Sequence, residues 1–304
     1  MESSFDWDAL QSFLAVVRTG RLTAAARRMG VDHTTLGRRI ADLERALQAQ
    51  LFTRSVQGYA LTPQGEKLLA SAQAMESLAL GVMEDVAGSS LKVAGSVRIG
   101  APDGFGTLFL ARHLAELGER HPDLRLELVT MPRLFSLTKR EADIAIGLAP
   151  PQEGRLHARK LTDYQLGLYA TDDYLARHGE PTRRADLRGH RLIGYVGDLI
   201  YAPELDYIPL IGPPGGRDLA PSITSSNLLA QYQMTLAGHG LCVLPCFMAA
   251  PDTRLRRVMV DAVSLTRSFW LIVHSDLRDL ARVRITTDFI VEAVRAAGAV
   301  FMPE

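Results

Sequence analysis

Residues 22–47, LTAAARRMGVDHTTLGRRIADLERAL, read as two short helices joined by a tight turn, and the fold follows from that reading. Thr23 is placed to cap the first helix, and Ala24, Ala25 and Ala26 are small enough to let another helix approach closely. Gly30 supplies the permissive backbone that a sharp turn needs. Asp32 then caps a second helix, on which Leu36, Ile40, Leu43 and Leu47 fall along one stripe. Opposite that stripe, by the helical advance of about 100° per residue, lie Thr34, Arg38, Asp42 and Arg45. A major groove admits one helix, and its base edges are read by arginine on guanine and by short hydroxyl or methyl-bearing side chains. The N-terminal part of such a helix enters the groove. His33, Thr34, Thr35 and Arg38 are therefore the candidates for base contact, with Thr23 and Arg39 flanking them. A charged helix on a solvated face satisfies the same periodicity, so this stretch alone leaves both readings open.

Upstream, Trp7, Leu10, Phe13, Leu14 and Val17 share one face at helical spacing, and Gly20 follows where a left-handed cap is expected. Downstream, residues 51–53 and 59–61 read as a hairpin around Gln57-Gly58, with Arg54 near its tip. A hairpin directly after a recognition helix is a wing, whose arginine reaches the DNA backbone or minor groove. Thr62 and Pro63 open a long helix to about Ala87. Leu68, Ala72, Met75, Ala79, Val82 and Val86 alternate steps of four and three along it, the spacing of a coiled-coil seam. A helix lying on its own domain would give the same pattern, but a helix this long has no such domain beside it, so dimerisation through the seam is expected. Between positions 18 and 54 stand Arg18, Arg21, Arg27, Arg28, Arg38, Arg39, Arg45 and Arg54, against Asp32, Asp42 and Glu44. That clustering favours an anionic partner.

Residues 5–66 resemble the winged helix-turn-helix of the LysR-type transcriptional regulators. The residues that carry the likeness are Phe13 and Val16, Thr23-Ala24-Ala25-Ala26 with the Gly30 turn, and Arg38 and Ile40. Leu43-Glu44, Leu51-Phe52 with Arg54, and Leu61-Thr62 with Gly65 continue it. In that family the recognition helix usually opens with Ser-Gln-Pro-Ala and has a serine just before the arginine. Here Asp32-His33-Thr34-Thr35 and Gly37 hold those places. The resemblance thus implies binding to double-stranded promoter DNA, as a homodimer or homotetramer, and says little about the sequence bound. It leaves RNA polymerase as a further partner.

A chain of 304 residues suits two domains, and 47% apolar with 22% charged residues is ordinary for a soluble globular protein. Its formal charge is zero, so a neutral or acidic second domain would mask the basic head. The acidic start MESSFDWDAL lacks signal-peptide order, and no apolar run approaches the roughly 18 residues of a membrane span. Two cysteines fit a reducing compartment, so a cytoplasmic protein without membrane association is expected.

We divide the chain into a winged helix-turn-helix domain (1–62), a linker helix with a Gly88-Ser89-Ser90 hinge (63–91) and a second domain (92–304). There residues 97–100, 124–128, 143–147 and 165–170 alternate or run apolar as strands between helical stretches, implying a mostly parallel sheet. ADIAIG, LYATDDYL and AGHGLCVLP give this part a looser resemblance to the family's effector domain, which implies two α/β halves like those of periplasmic binding proteins. One half comprises 92–163 and 268–304, the other 164–267, with crossings near Tyr164 and Arg267. No period places the tract from Tyr201 to Pro221. The expected fold is therefore α/β, with an all-α-dominated winged helix-turn-helix at the N-terminus, a long linker helix and a periplasmic-binding-protein-like domain.

In open α/β sheets, ligands bind outside the carboxyl ends of strands, where helix N-termini offer free N–H groups. Pro102, Asp103, Gly104 and Phe105 after one strand, Thr130 and Gly147 after two others, and Thr224 with Ser225 before a helix are the candidate effector contacts. Such a site favours an anionic or carbonyl-bearing molecule, but Asp103 would repel a carboxylate. Thr224 and Ser225 as simple caps are an equal alternative. Cys242 and Cys246 raise a redox switch, against which stands their expected burial. No nucleophile elbow, P-loop or metal-ligand spacing is present, so neither an enzyme nor a bound metal or other cofactor is expected. A ligand-independent architectural DNA-binding protein is the other class to weigh, although it has no use for two hundred further residues.

Overall fold

The computed structural model describes residues 6–55, 58–87, 93, 95–131, 137, 141–213 and 219–303. Gln57, the Gly88–Ser90 hinge, Pro132 and the side chains of Arg54 and Val86 lie outside the described residues. The chain forms two compact units, Met1–Leu91 and Lys92–Glu304.

In the first unit, α1 (Trp7–Thr19), α2 (Leu22–Met29) and α3 (His33–Ala46) pack around Leu10, Phe13, Leu14, Val16, Leu36, Ile40 and Leu43, all buried. Gly20 and Gly30 close α1 and α2 in the left-handed conformation. Asp32 caps α3, its carboxylate accepting the Thr34 N–H at 2.8 Å. Thr23 is no cap: α2 starts two residues earlier than that cap implies, at Leu22, with Arg21 at the N-cap making no side-chain capping bond. Leu47 leaves the expected stripe, since it is the C-cap of α3 and is 38% exposed.

Strands β1 (Phe52–Ser55) and β2 (Gly58–Leu61) pair antiparallel as the wing. The wing is anchored at both ends. Glu44 of α3 accepts the Leu51 and Phe52 N–H groups at 2.8 and 3.3 Å, and the Tyr59 N–H donates to Gly20 O at 2.9 Å. Gly58 permits that last approach, because a Cβ there would lie 2.4 Å from Gly20 O. Helix α4 (Pro63–Ala87) follows, with the Thr62 hydroxyl accepting the Gly65 N–H. Leu69 and Ala72 are buried in the head's core and Leu68 packs against it, while a two-pronged Arg18–Glu76 pair ties α1 to α4. The first part of the expected seam thus lies on its own domain, whereas Met75 and Val82 are 40% and 60% exposed.

A side chain is tolerated at Gly37, where a Cβ would meet Leu22 Cδ2 at 3.4 Å, ordinary contact. Alanine has the higher helix propensity, so Gly37→Ala should stabilise the first unit by about 0.5–1 kcal/mol. Denaturant unfolding followed by helical circular dichroism measures it; a loss of stability would mean that α3 and α2 are closer than this geometry.

The second unit is built on one nine-stranded sheet in the order β4-β3-β5-β11-β6-β9-β7-β8, with β10 also on β6. In chain order it runs β3 (Gly95–Ala101), α5 (Asp103–Phe105), a π turn through Leu110, α6 (Ala111–Arg120), β4 (Leu124–Thr130), β5 (Ile144–Gly147) and β6 (Leu156–Thr171). Then come α7 (Asp172–His178), β7 (Leu192–Gly194), α8 (Ile208–Ile211), β8 (Ile223–Thr224), α9 (Leu228–Leu236), β9 (Leu241–Pro245) and α10 (Cys246–Ala249). The unit closes with β10 (Leu255–Val258), β11 (Ser264–His274), α11 (Ala281–Ala296) and α12 (Gly298–Phe301). Parallel pairs occur at the two ends, β4-β3-β5 and β9-β7-β8, and the long β6 and β11 join them antiparallel. The sheet is therefore mixed rather than mostly parallel, because the strands that cross between the halves run against their neighbours. Tyr164 faces Arg267 across β6 and β11, and a register shift follows at Phe269/Trp270.

Candidate functional site

The outward side of α3 carries His33, Thr34 and Arg38, all exposed, with Thr35 half-buried. Asp32 organises its first turn. It accepts both the N–H and, at 2.5 Å, the hydroxyl of Thr34, and His33 Nδ1 lies 3.6 Å from its other oxygen. The Thr34 hydroxyl bond, followed by the backbone one, holds the Asp32 carboxyl below the usual carboxylate range. Arg39 does not join this face. It is half-buried and its guanidinium lies 3.6 Å from Asp8 of α1, an ion pair between helices. Thr23 is exposed on the first turn of α2. The backbone of Arg54 pairs with Tyr59 in the wing.

The candidate effector contacts are arranged differently from expectation. Asp103 is 4% exposed, and its carboxylate accepts the Leu228 N–H at 2.7 Å, so it sits on the N-terminus of α9. Burial raises its pKa, and N–H groups of Leu228, Gly104 and Leu229 oppose the rise. The seat an effector anion was expected to take is filled by the protein's own carboxylate. Gly104 lies close to the same residue, where a Cβ would come within 2.9 Å of the end of the Leu228 side chain. Phe105 belongs to the core, 1% exposed and packed at tilted or edge-on angles among Phe109, Phe247, Phe269 and Phe301. Thr130 packs beside Gly106, and Gly147 lies against Ile272. Ser225 donates its N–H to Gly194 O, and Asn227 is the residue that caps α9, accepting from the Ala230 N–H.

Thr224, next to Gly194 in the sheet, lines a cavity of about 400 Å³ at the carboxyl ends of β7 and β8. Of the eight candidate effector residues it is the one that lines this space. The walls come instead from Tyr195, Ile200, Gln231 and Val243, and from residues 205–209 and 219–221 of the tract that the sequence did not place. That tract forms a 3-10 turn at Pro203–Leu205 and the short α8. Tyr195 and Tyr207 are buried, which pushes both phenols well above their ordinary pKa and keeps them neutral hydroxyls. The signal that could have found Tyr195 was the short apolar LIG of β7 followed at once by tyrosine, while nothing in the sequence marks Tyr207.

Neither cysteine has the surroundings of a redox sensor. Cys242 is 1% exposed, its thiol is pushed up to about 12 by burial, and Cys246 is fully buried. A thiol so protonated is a poor nucleophile.

Residues 7–66 match the family described as bacterial regulatory helix-turn-helix protein, lysR family, and residues 92–295 match the LysR substrate binding domain. The transcriptional regulator PtxR of Pseudomonas aeruginosa is 30% identical over 253 residues, 82% of this chain and 80% of its own. CrgA of Neisseria meningitidis is 27% identical over 292 residues, 94% of this chain and 96% of its own. The solved structure of CrgA superposes with a TM-score of 0.60 at 26% identity, covering 94% of this chain and 97% of that one. Full-length LysG of Corynebacterium glutamicum, solved with bound effector Arg, shares the fold at a TM-score of 0.61 and 18% identity, covering 96% and 99% of the two chains. With both domains matched in order, this chain belongs to the LysR family of transcriptional regulators, which bind DNA through the helix-turn-helix and are modulated by a small effector received in the second domain.

Proposed function

We propose that the exposed first half of α3 reads promoter DNA through His33, Thr34, Thr35 and Arg38, with Arg54 of the wing on the phosphate backbone. The observation that carries this reading is the exposed Arg38 on the face opposite Leu36, Ile40 and Leu43, beside an Asp32-organised first turn. The Thr34 hydroxyl hydrogen is committed to Asp32, which leaves its lone pairs and methyl for a base amino group or a thymine methyl. Arg39, paired with Asp8, supports the orientation of α3 rather than reading bases. The protein acts as a homodimer through the exposed part of the α4 seam, regulates rather than catalyses, and works in the cytoplasm, where RNA polymerase is its further partner. Its effector enters the second unit.

Arg38→Ala should weaken the specific site by about 1–3 kcal/mol and blur one base position, as expected for one bidentate contact. Footprinting and titration on operator and random DNA test this; equal losses on both would reduce Arg38 to a phosphate contact. Arg54→Ala should instead lower affinity on every sequence and reduce the slope of log K against log salt by roughly 1. An unchanged slope would remove the wing arginine from the interface.

A further inference from the structure

We infer that Arg18 and Glu76 are positioning residues for DNA recognition: their ion pair locks α4 to α1, so that the α4 seam sets the half-site spacing the dimer accepts. This rests on the reading that two copies meet along α4, and it names the residues that carry the seam's geometry to the DNA. Two observations support it. The first is where Glu76 stands. Leu68, Met75 and Val82 recur every seven residues, as do Ala72, Ala79 and Val86, so Glu76, one step past Met75, flanks the seam. A charge at that flank of a two-helix coil ordinarily selects the partner helix. Here it is committed within its own chain. The Arg18 guanidinium donates to both carboxylate oxygens, Nη1 at 3.0 Å and Nη2 at 2.5 Å, with the two side chains 26% and 17% exposed. Such a two-pronged pair fixes an angle as well as a distance. It lies one turn beyond Ala72, at the step where burial in the head's core gives way to exposed Met75 and Val82.

The second observation is the helix that Arg18 belongs to. α1 carries Asp8 in its first turn and Arg18 in its last, each of the sign that the helix dipole favours at that end. Asp8 is the residue that pairs with Arg39 of α3, at 3.6 Å. One end of α1 is therefore tied to the recognition helix and the other to the dimerisation helix, across a rise of roughly 15 Å. Between the two ties, Leu10, Phe13 and Leu14 are buried against the rest of the head. α1 thus works as a strut: an angle fixed at the seam passes through one continuous, packed helix to α3. Without the Arg18–Glu76 pair the head would remain folded on Leu69 and Ala72, but the outer part of α4 would lose the contact that fixes its angle to α1.

The test uses the full-length protein and a two-half-site duplex that the wild type selects from a random-sequence library. Beside it stand the same duplex with one extra base pair between the half-sites and a duplex with a single half-site. One added base pair turns a half-site by about 35°, and the wild type should lose affinity for that duplex by about tenfold or more. Arg18→Ala and Glu76→Ala should each bind the two spacings within about threefold of one another. Helical content, sedimentation as a dimer and affinity for the single half-site should stay at wild-type values. Arg18→Glu combined with Glu76→Arg should restore the spacing preference, a rescue that general loss of stability would not allow. Alanine variants that keep the wild-type preference, or a reversed pair that does not regain it, overturn the inference. Equal losses on single and double half-sites make the pair a prop of the head and overturn it as well. A wild type that sediments as a monomer, or selects no two-half-site duplex, fails the dimer reading and the inference with it. With a dimeric wild type, the other adverse results fail the inference alone.

Discussion

Met75→Glu with Val82→Glu should convert the homodimer proposed above to a monomer and lower its affinity for a two-half-site operator by about 10²–10⁴, the avidity of linked sites. The expectation follows from how α4 divides its apolar residues. Leu69 and Ala72 are 4% and 0% exposed within the head's own core, so they are not available to a partner. Met75 and Val82 continue the same four-three spacing but stand 40% and 60% exposed, with half-buried Ala79 between them. Apolar residues in register on a long helix beyond its own core form the seam of a two-helix coil. Glutamates there would bring like charges from two copies into one desolvated line, while leaving every residue of the head's core in place. Sedimentation equilibrium should therefore report the 33.3 kDa monomer with unchanged helical content. Affinity for a single half-site should stay at the wild-type value. A double variant that remains dimeric places the interface elsewhere on the chain.

What the sequence disclosed, and what it hid, follows from the range of the interactions concerned. The Asp32 cap, the left-handed Gly20 and Gly30, and the Leu36–Ile40–Leu43 stripe depend on neighbours within a few residues, and the structure has them where the sequence puts them, whereas the cap expected at Thr23 is absent. Leu47 fits the stripe by count, yet it lies past the last helical turn, where the chain bends to Leu51. Arg39 was illegible for a different reason. Nothing around it distinguishes it from Arg38, and its commitment to Asp8 arises only when α1 and α3 pack. The cavity was invisible because its walls are drawn from Tyr195, residues 205–209 and 219–221 of an aperiodic tract, Gln231 and Val243, segments that share no local pattern. The helix N-terminus rule did locate α9. It missed that the chain supplies its own carboxylate there, since Asp103 lies 125 residues away in sequence.

Asp103→Ala will destabilise the second unit by about 2–3 kcal/mol at neutral pH, because it removes the acceptor from a buried helix N-terminus and leaves the Leu228 N–H unpaired. Asp103→Asn will behave oppositely. Its amide oxygen can accept the same bond without a buried charge, so the variant should match or exceed the wild type at neutral pH. The sign of the pH dependence separates the two effects. Burial raises the Asp103 pKa in the folded protein above the roughly 3.9 of an unfolded aspartate. Between those values the native state binds more protons than the unfolded one, so wild-type stability from this group rises as pH falls through the folded pKa. The rise is complete below the unfolded value. The asparagine variant has no such titration, and its advantage over the wild type should be largest near neutral pH and shrink as pH drops towards 4. Urea unfolding of the two proteins at matched pH measures the difference directly, with contributions from all other carboxylates cancelling. An asparagine variant as unstable as the alanine one would show that the α9 N-terminus needs the full negative charge. The carboxylate would then be a net stabiliser that joins the β3–α5 segment to α9, and the seat would be more firmly closed to ligand anions than burial alone makes it.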